Sequence, residues 1–239
     1  IQTLLLMKLD ILAFGAHPDD IELGCGGTII KHVENNFKVG IVDLTTGDLG
    51  TRGNAKIRLE EADSASKIMG LSVRENLNFK DGFFLNDEKH KNALIKKIRK
   101  YRPDIVLANA PSDRHPDHAR ASQLTIDACF LSGLEKINTN QEVWRPKAIY
   151  HYIQFNNLPP DFVVDISDFF DKKITAIMQY KSQFFDPNSN ETKTIISSKE
   201  FFDSIEYRAK DLGRQTSCNY AEGFINHQLS KVNLLNDLK

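Results

Sequence analysis

The chain has 239 residues, of which 31 are basic and 32 acidic, and its formal net charge is −1. This length suits one α/β domain, and the balanced charge argues against a protein built mainly to coat nucleic acid or an anionic membrane. Three isolated cysteines without C-x-x-C spacing indicate neither a disulfide framework nor a thiolate zinc site, which favours a cytoplasmic location.

The beginning of the chain shows no targeting or membrane-spanning pattern. Lys8 and Asp10 interrupt its apolar residues, so no run is long enough for a signal peptide or a membrane span. Met7 resembles a natural start. We therefore expect residues 1–6 to be a start-site remnant, followed by a single domain over residues 7–239, because no linker or charge run marks a second domain.

Strand and helix patterns alternate along the chain. Strands are predicted at residues 9–16, 39–45, 77–79, 104–108, 148–155 and 162–165. Helices are predicted at residues 21–35, 57–69, 88–99, 119–131, 167–184 and 198–212, the last one stopped by Gly213. This alternation favours a Rossmann-like, three-layer α/β sandwich with a mostly parallel sheet, in which ligands bind beyond the carboxyl ends of the strands.

Two similar tetrapeptides lie at predicted strand ends. His-Pro-Asp-Asp occupies residues 17–20 and His-Pro-Asp-His occupies residues 115–118. Because the carboxyl ends of parallel strands share one edge of a sheet, we expect the two tetrapeptides to form one site.

The first tetrapeptide and the end of the second contain the residue types of a catalytic zinc site. Such a site takes three protein ligands and leaves one position for water, and His17, Asp20 and His118 supply that number and type. Asp19 is then free to act as general base on the water. One Zn²⁺ per chain is expected, although two histidines and one carboxylate also accept Fe²⁺.

The remaining residues of the second tetrapeptide suit the stabilisation of the oxyanion and the protonation of the leaving amine in an amide hydrolysis. His115 is predicted to stabilise the oxyanion or to protonate the leaving amine. Asp117 is predicted to hold His115 in one tautomer and to keep it charged.

Simpler interpretations exist for the same residues. Asp19 or Asp20 could cap the helix after the first strand, and Asp117 could cap the later helix. The glycines of residues 24–27 could mark a nucleotide- or phosphate-binding module, although their spacing matches neither G-x-G-x-x-G nor a P-loop. A metal-binding protein without turnover is a third alternative.

The combination of these motifs resembles a known family. Residues 16–20, 46–53, 58–62 and 115–118 are similar to the LmbE/PIG-L family of zinc-dependent N-acetylglucosamine deacetylases, over nearly the whole chain. The segment Tyr-Ala-Glu-Gly-Phe at residues 220–224 resembles the bacterial members that remove acetate from N-acetylglucosaminyl malate in bacillithiol biosynthesis.

This resemblance implies a small amino-sugar substrate, with no nucleic acid or membrane partner, and a homo-oligomer such as a hexamer. It implies the same zinc ligands, Asp19 as base and His115 as the acid or electrostatic partner. It also implies that Arg58 contacts substrate. Arg52 and Asp48 are weaker candidates for substrate binding, since family members often carry Glu where Asp48 stands. Another acetylated sugar, such as a chitin fragment, is the alternative substrate.

Overall fold

The computed structural model describes residues 7–234 and 236, so the prediction for residues 1–6 lies outside the described residues. One mixed sheet organises the molecule. Its strands are β1 (Ile11–Gly15), β2 (Val39–Thr45), β3 (Val73–Phe79), β4 (Ile105–Ala108), β5 (Ala148–Tyr152), β6 (Phe162–Asp165) and β7 (Ala221–Asn226). They lie in the order β3, β2, β1, β4, β5, β7, β6, with β1 to β5 parallel and β7 antiparallel to both of its neighbours. The predicted α/β fold with a mostly parallel sheet is confirmed.

Six α-helices are described around this sheet. They are α1 (Asp20–Glu34), α2 (Ala55–Met69), α3 (Glu88–Tyr101), α4 (Pro116–Leu131), α5 (Phe170–Ile177) and α6 (Lys199–Gln215). Within the described residues, no helix combines the length and the apolar character that a membrane span requires.

Strand β1 shows why helices cover both faces of the sheet. Leu12 and Phe14 point into a core formed with α3 and α4. Ile11 and Ala13 point into a second core, to which α1 and α5 contribute. Because successive side chains of a strand alternate between the faces, a strand with apolar residues at every position needs cover on both sides.

The helix that was predicted over residues 167–184 is shorter in the structure. A 3₁₀ turn at Ser167–Phe169 precedes α5, which ends at Ile177. Tyr180 and Phe184 continue the apolar pattern because both are buried in a turn beyond the helix, where Tyr180 N bonds to Ile177 O. The apolar periodicity over residues 167–184 therefore reflects which side chains are buried, and the helix itself is not continuous over this stretch.

The end of the chain also differs from the prediction. Gly213 lies inside α6, where a Cβ would come within 2.6 Å of Cys218 O, so the glycine permits the close return of the chain and does not stop the helix. The segment that follows is β7, a strand that the sequence did not predict. It pairs between β5 and β6 and adds an antiparallel edge to the sheet.

The polar tetrapeptides lie where the strand order reverses. β1 has β2 on one side and β4 on the other. The chain leaves β1 into residues 16–20 and leaves β4 into residues 109–118, so both segments reach the same edge. This is the crevice at which ligands bind in open α/β sheets.

Helix α1 contains a kink, and the backbone groups that the kink leaves free are bound by side chains from other parts of the chain. Cys25 has a non-helical backbone, with φ of −147°. Beyond it, the N–H groups of Gly27 and Thr28 donate to the Glu222 carboxylate, at 3.0 and 2.7 Å. Lys173 donates to Leu23 O at 2.9 Å and to Glu222 at 2.6 Å. The buried Lys173–Glu222 pair therefore supplies partners for backbone groups that the kink frees.

We predict that alanine destabilises the protein at one glycine of α1 and is tolerated at another. In Gly24→Ala, the new Cβ would lie 2.3 Å from the ring of Tyr152, which is fully buried and bonded to Phe14 O. Such overpacking typically costs about 1–3 kcal/mol in the free energy of unfolding. Gly26→Ala is the matched control, since its Cβ would have no neighbour nearer than 3.6 Å. Urea unfolding should show a loss only for Gly24→Ala, and equal losses would contradict this packing.

Candidate metal centre and active site

The first tetrapeptide turns sharply as it enters α1. Asp19 has φ of 109°, in the left-handed region that residues other than glycine rarely adopt. Arg58, buried on α2, donates to Pro18 O and, at 3.0 Å, to Asp19 Oδ2. Because strained backbone persists only where surrounding contacts hold it, Arg58 helps to keep this turn in place.

The alternative in which these acids serve only as helix caps is not what the structure shows. Asp19 occupies the N-cap position of α1, but its side chain makes no capping hydrogen bond. Asp20 Oδ2 accepts a hydrogen bond from His17 N at 3.0 Å. At α4 the capping residue is His115, whose Nδ1 accepts from Asp117 N at 3.2 Å, and not Asp117.

Asp20 lies between the two predicted histidine ligands. Its Oδ2 is 3.7 Å from His17 Nδ1, and its Oδ1 is 3.2 Å from His118 Nε2. All three side chains are buried. The structure therefore brings together the three predicted ligands, although they come from two segments about a hundred residues apart.

The opposite nitrogen of each imidazole is bound by a carboxylate. His17 Nε2 lies 3.0 Å from Asp81 Oδ1 and 3.4 Å from Asp117 Oδ2. His118 Nδ1 lies 2.8 Å from Asp113 Oδ2. Histidines that ligate metals characteristically bind a carboxylate through the other nitrogen, which sets the ring orientation and raises ligand basicity.

These carboxylates make the centre strongly attractive to cations. Burial by itself lowers the pKa of His17 and of His118, but the neighbouring aspartates outweigh it. The pKa of His17 lies well above its usual value, and that of His118 rises to about 9. The negative surroundings that favour protons on these rings also favour a divalent cation, which competes with them. The donor set therefore fits a metal ion.

Among the described residues, two groups of three side chains have ligand atoms within 4.8 Å of one another, and the predicted set of His17, Asp20 and His118 is not one of them. One contains His17, His115 and His118, and the other contains His17, Asp81 and Asp117. The histidines of the first group line a cavity beside the strand ends, as do Asp20 and Asp81. Asp117 is fully buried, and its oxygens already accept hydrogen bonds from Gly82 N and Arg120. Asp117 is therefore already engaged by other groups, whereas His17, His118 and Asp20 all border the same cavity.

The contacts of His115 differ from the prediction. The Asp117 carboxylate faces His17, Gly82 and Arg120, and only the Asp117 backbone N–H reaches His115 Nδ1. Burial, together with the neighbouring His17 and His118 rings, lowers the pKa of His115 to about 4. The charge of Asp117 favours a protonated His115, but burial and the two neighbouring rings outweigh it, so the predicted pairing that keeps His115 charged is not found in the structure. The lowered pKa favours the neutral ring, and because Nδ1 accepts a hydrogen bond, Nε2 is the nitrogen left to donate one.

Asp19 has the protonation behaviour of a general base. Burial raises its pKa from 3.8 to about 7, although the positive charge of Arg58 opposes the increase. A base is most effective when its pKa lies near the working pH. Asp19 also lines the cavity, next to Asp20.

Of the three predicted substrate-binding residues, the two arginines line a cavity of about 360 Å³ and the aspartate does not. Arg58 lines it but already binds Asp19. Arg52 also lines it, and its guanidinium donates to Glu191 at 2.7 Å and to Ser189 at 3.0 Å. Asp48 is exposed and accepts from Thr46 Oγ1 at 2.9 Å. Its neighbours Gly47 and Leu49 belong to the cavity wall, from which Asp48 itself is absent.

The polar residues that contact the proposed ligands were not predicted. They are Asp81, Asn109, Asp113 and Gln154. Asn109 and Gln154 donate to Asp20, at 3.1 and 2.8 Å. The position of Asp113 just after β4 was a usable signal, since the tetrapeptide follows directly. Asp81 follows the edge strand β3, and no motif surrounds it.

Two N–H groups of the glycine segment of α1 are already occupied by a carboxylate of the chain. The N–H groups that would contact a phosphate, those of Gly27 and Thr28, bind the carboxylate of Glu222. Exposed helix N–H groups do favour anions. In this protein the anion is a carboxylate of the chain itself.

Comparisons with known proteins identify related deacetylases. The PIG-L family model, described as GlcNAc-PI de-N-acetylase, matches residues 12–129. Diacetylchitobiose deacetylase of Thermococcus kodakarensis is 32% identical over 186 residues, which cover 73% of this chain and 70% of the relative. A probable N-acetyl-α-D-glucosaminyl L-malate deacetylase of Bacillus anthracis is 25% identical over 224 residues, 86% of this chain and 92% of the relative.

A solved structure shows that the similarity includes the fold. The crystal structure of a conserved protein from Thermus thermophilus has a TM-score of 0.85 and 34% sequence identity, and the match covers 94% of this chain and 98% of that one. The family model and the Thermococcus relative together show that this chain belongs to the PIG-L (LmbE) family of deacetylases.

Proposed function

We propose that this protein is a zinc-dependent hydrolase that removes the N-acetyl group from an N-acetylglucosamine conjugate. The observation that carries the proposal is the position of Asp20 between His17 and His118, with a carboxylate on the outer nitrogen of each ring. This donor set opens onto a cavity that Asp19 also lines. Family membership supports the same reaction class.

His17, Asp20 and His118 would hold the metal. A divalent ion bound there would polarise the acetyl carbonyl and acidify a water molecule. Zn²⁺ is the proposed ion, and Fe²⁺ suits the same ligands.

The other residues of the site divide the proton transfers between them. Asp19, with a pKa of about 7, takes the proton from the attacking water and returns it to the leaving amine. Arg58 holds the Asp19 carboxylate in position. Neutral His115 donates a hydrogen bond from Nε2 to the developing oxyanion, which replaces the charged role that the sequence suggested. Asp117 supports His17 through Nε2.

N-acetylglucosaminyl malate, in bacillithiol biosynthesis, is the proposed substrate. The Bacillus relative supports it over most of both chains. Arg52 and Arg58 are already paired, but Arg114 in the cavity wall stacks on Phe155 and has no ion pair among the described residues. A guanidinium of this kind suits a malate carboxylate. A chitin fragment is the second candidate, supported by the Thermococcus relative.

We further propose a cytoplasmic homo-oligomer, such as a hexamer, formed from a single domain.

Asp19→Asn should lower acetate release by about 10²–10⁴-fold, because the amide cannot accept the proton. Zinc content, measured by mass spectrometry of the metal, should not change, since Asp19 is not a proposed ligand. Asp63→Asn is the matched control, because Asp63 is exposed on α2 and its carboxylate pairs with Lys67, away from the site. Unchanged activity of Asp19→Asn would overturn the mechanism, and inactive wild-type protein with bound zinc would favour a metal-binding protein without turnover.

Two histidine variants separate ligation from hydrogen bonding. His17→Ala should lose most of the bound zinc, because a three-ligand site loses one ligand. His115→Ala should keep about one zinc per chain while acetate release falls about a hundredfold. Equal loss of zinc in both variants would instead assign the metal to His17, His115 and His118.

The substrate is tested by acetate release from N-acetylglucosaminyl malate and from diacetylchitobiose. We expect a larger kcat/KM for the malate conjugate, and Arg114→Ala should raise its KM without changing the KM for diacetylchitobiose. A preference for diacetylchitobiose, or comparable and very slow turnover of both, would contradict the malate assignment.

A further inference from the structure

Asn109 bridges the two strand ends from which the site is built. It directly follows β4, and its side chain is buried. Its Oδ1 accepts a hydrogen bond from Ala16 N, just after β1, at 3.1 Å. Its Nδ2 donates to Asp20 Oδ2, in the first turn of α1, also at 3.1 Å. One amide therefore connects the end of β4 to the residue before the first tetrapeptide and to the last residue of that tetrapeptide.

The chemistry of these partners fixes the orientation of the Asn109 amide. A backbone N–H only donates and a carboxylate only accepts, so Oδ1 faces Ala16 and Nδ2 faces Asp20. The backbone of Asn109 is held as well, because its carbonyl accepts from His151 Nδ1, on β5, at 2.8 Å. Ala16 O accepts from Thr45 N and Thr45 Oγ1, on β2, at 3.1 and 3.0 Å. Asn109 and the start of the turn are therefore both anchored to neighbouring strands.

The two oxygens of Asp20 have different partners. Oδ2 accepts from Asn109 Nδ2 at 3.1 Å and from His17 N at 3.0 Å. Oδ1 accepts from Gln154 Nε2 at 2.8 Å and lies 3.2 Å from His118 Nε2. Each carboxylate oxygen has about two acceptor sites. The two N–H donors therefore occupy Oδ2, whereas Oδ1 keeps one site on the side of His118.

We propose that Asn109 is a positioning residue for the metal site, which holds Asp20 Oδ2 so that Oδ1 is the oxygen presented beside His118. The other donor to Oδ2, His17 N, belongs to the same turn as Asp20 and does not connect it to β4. Without the Asn109 amide, the carboxylate would therefore lose its link to the strand from which the second tetrapeptide starts. The inference rests on the proposed zinc site.

The test compares zinc affinity with the stability of the zinc-free protein. The zinc dissociation constant is measured by competition with a chromophoric chelator, and stability by urea unfolding without metal. Asn109→Leu has nearly the same shape and lacks both hydrogen-bonding groups. Because the loss of such outer partners typically weakens metal affinity about 10–100-fold, its zinc dissociation constant should rise at least about tenfold. Asn109→Ala should show the same weakening and replaces Asn109→Leu if that variant does not fold.

Asn76→Leu is the matched control. Asn76 is a partly buried amide on β3 that also bridges backbone groups, since it donates to Thr45 O at 2.6 Å and accepts from Asn78 N at 2.7 Å. Its hydrogen bonds among the described residues reach none of the proposed ligands. Asn76→Leu should therefore lose stability and bind zinc as the wild type does. A merely structural role for Asn109 would produce the same pattern in Asn109→Leu.

Two results would overturn the proposal. One is wild-type zinc affinity in folded Asn109→Leu or Asn109→Ala. The other, for which no variant has to fold, is a crystal structure of the zinc-loaded wild type in which Asn109 Nδ2 does not contact Asp20 Oδ2. Both results leave the proposed function standing, whereas a wild type that binds no zinc would reject the proposed function and this inference with it.

Discussion

The structure of the site depends on the attraction between two buried imidazoles and the carboxylates around them. His17 and His118 share Asp20 on their inner side, and Asp81, Asp117 and Asp113 bind their outer nitrogens. So many buried acids repel one another unless positive charge compensates them, which protons or a divalent ion supplies. The same arrangement explains why His115, which lacks such a carboxylate on its ring, has a depressed pKa beside rings whose pKa values are raised.

A second internal ion pair connects this centre to the far edge of the sheet. Helix α1 carries Asp20 in its first turn and breaks at Cys25, and the freed backbone groups bind Glu222 and Lys173. Glu222 belongs to β7, the strand that converts a parallel sheet into a mixed one. The antiparallel edge thus contributes to the position of the first turn of α1, through a carboxylate that takes the place of an external anion.

Much of the fold could be predicted, because strands buried on both faces and amphipathic helices leave strong periodic patterns. The errors have physical causes. Tyr180 and Phe184 are buried without being helical, so periodicity extended α5 too far. Gly213 serves a close chain contact inside α6. The strand β7 depends on pairing with β5 and β6, and such long-range pairing leaves little local signal.

The amino-acid sequence was enough to point to candidate residues for the site: two tetrapeptides at strand ends, with their histidines and aspartates, imply convergence at one edge of a parallel sheet. The contacts that these residues make with one another became visible in the folded structure. Asp117 supports His17 and not His115, Arg58 holds Asp19, and Asp81, Asp113 and Gln154 complete the surroundings. The reason is that residue type and local periodicity are encoded along the chain, whereas partners and pKa values depend on distances between segments that meet only after folding.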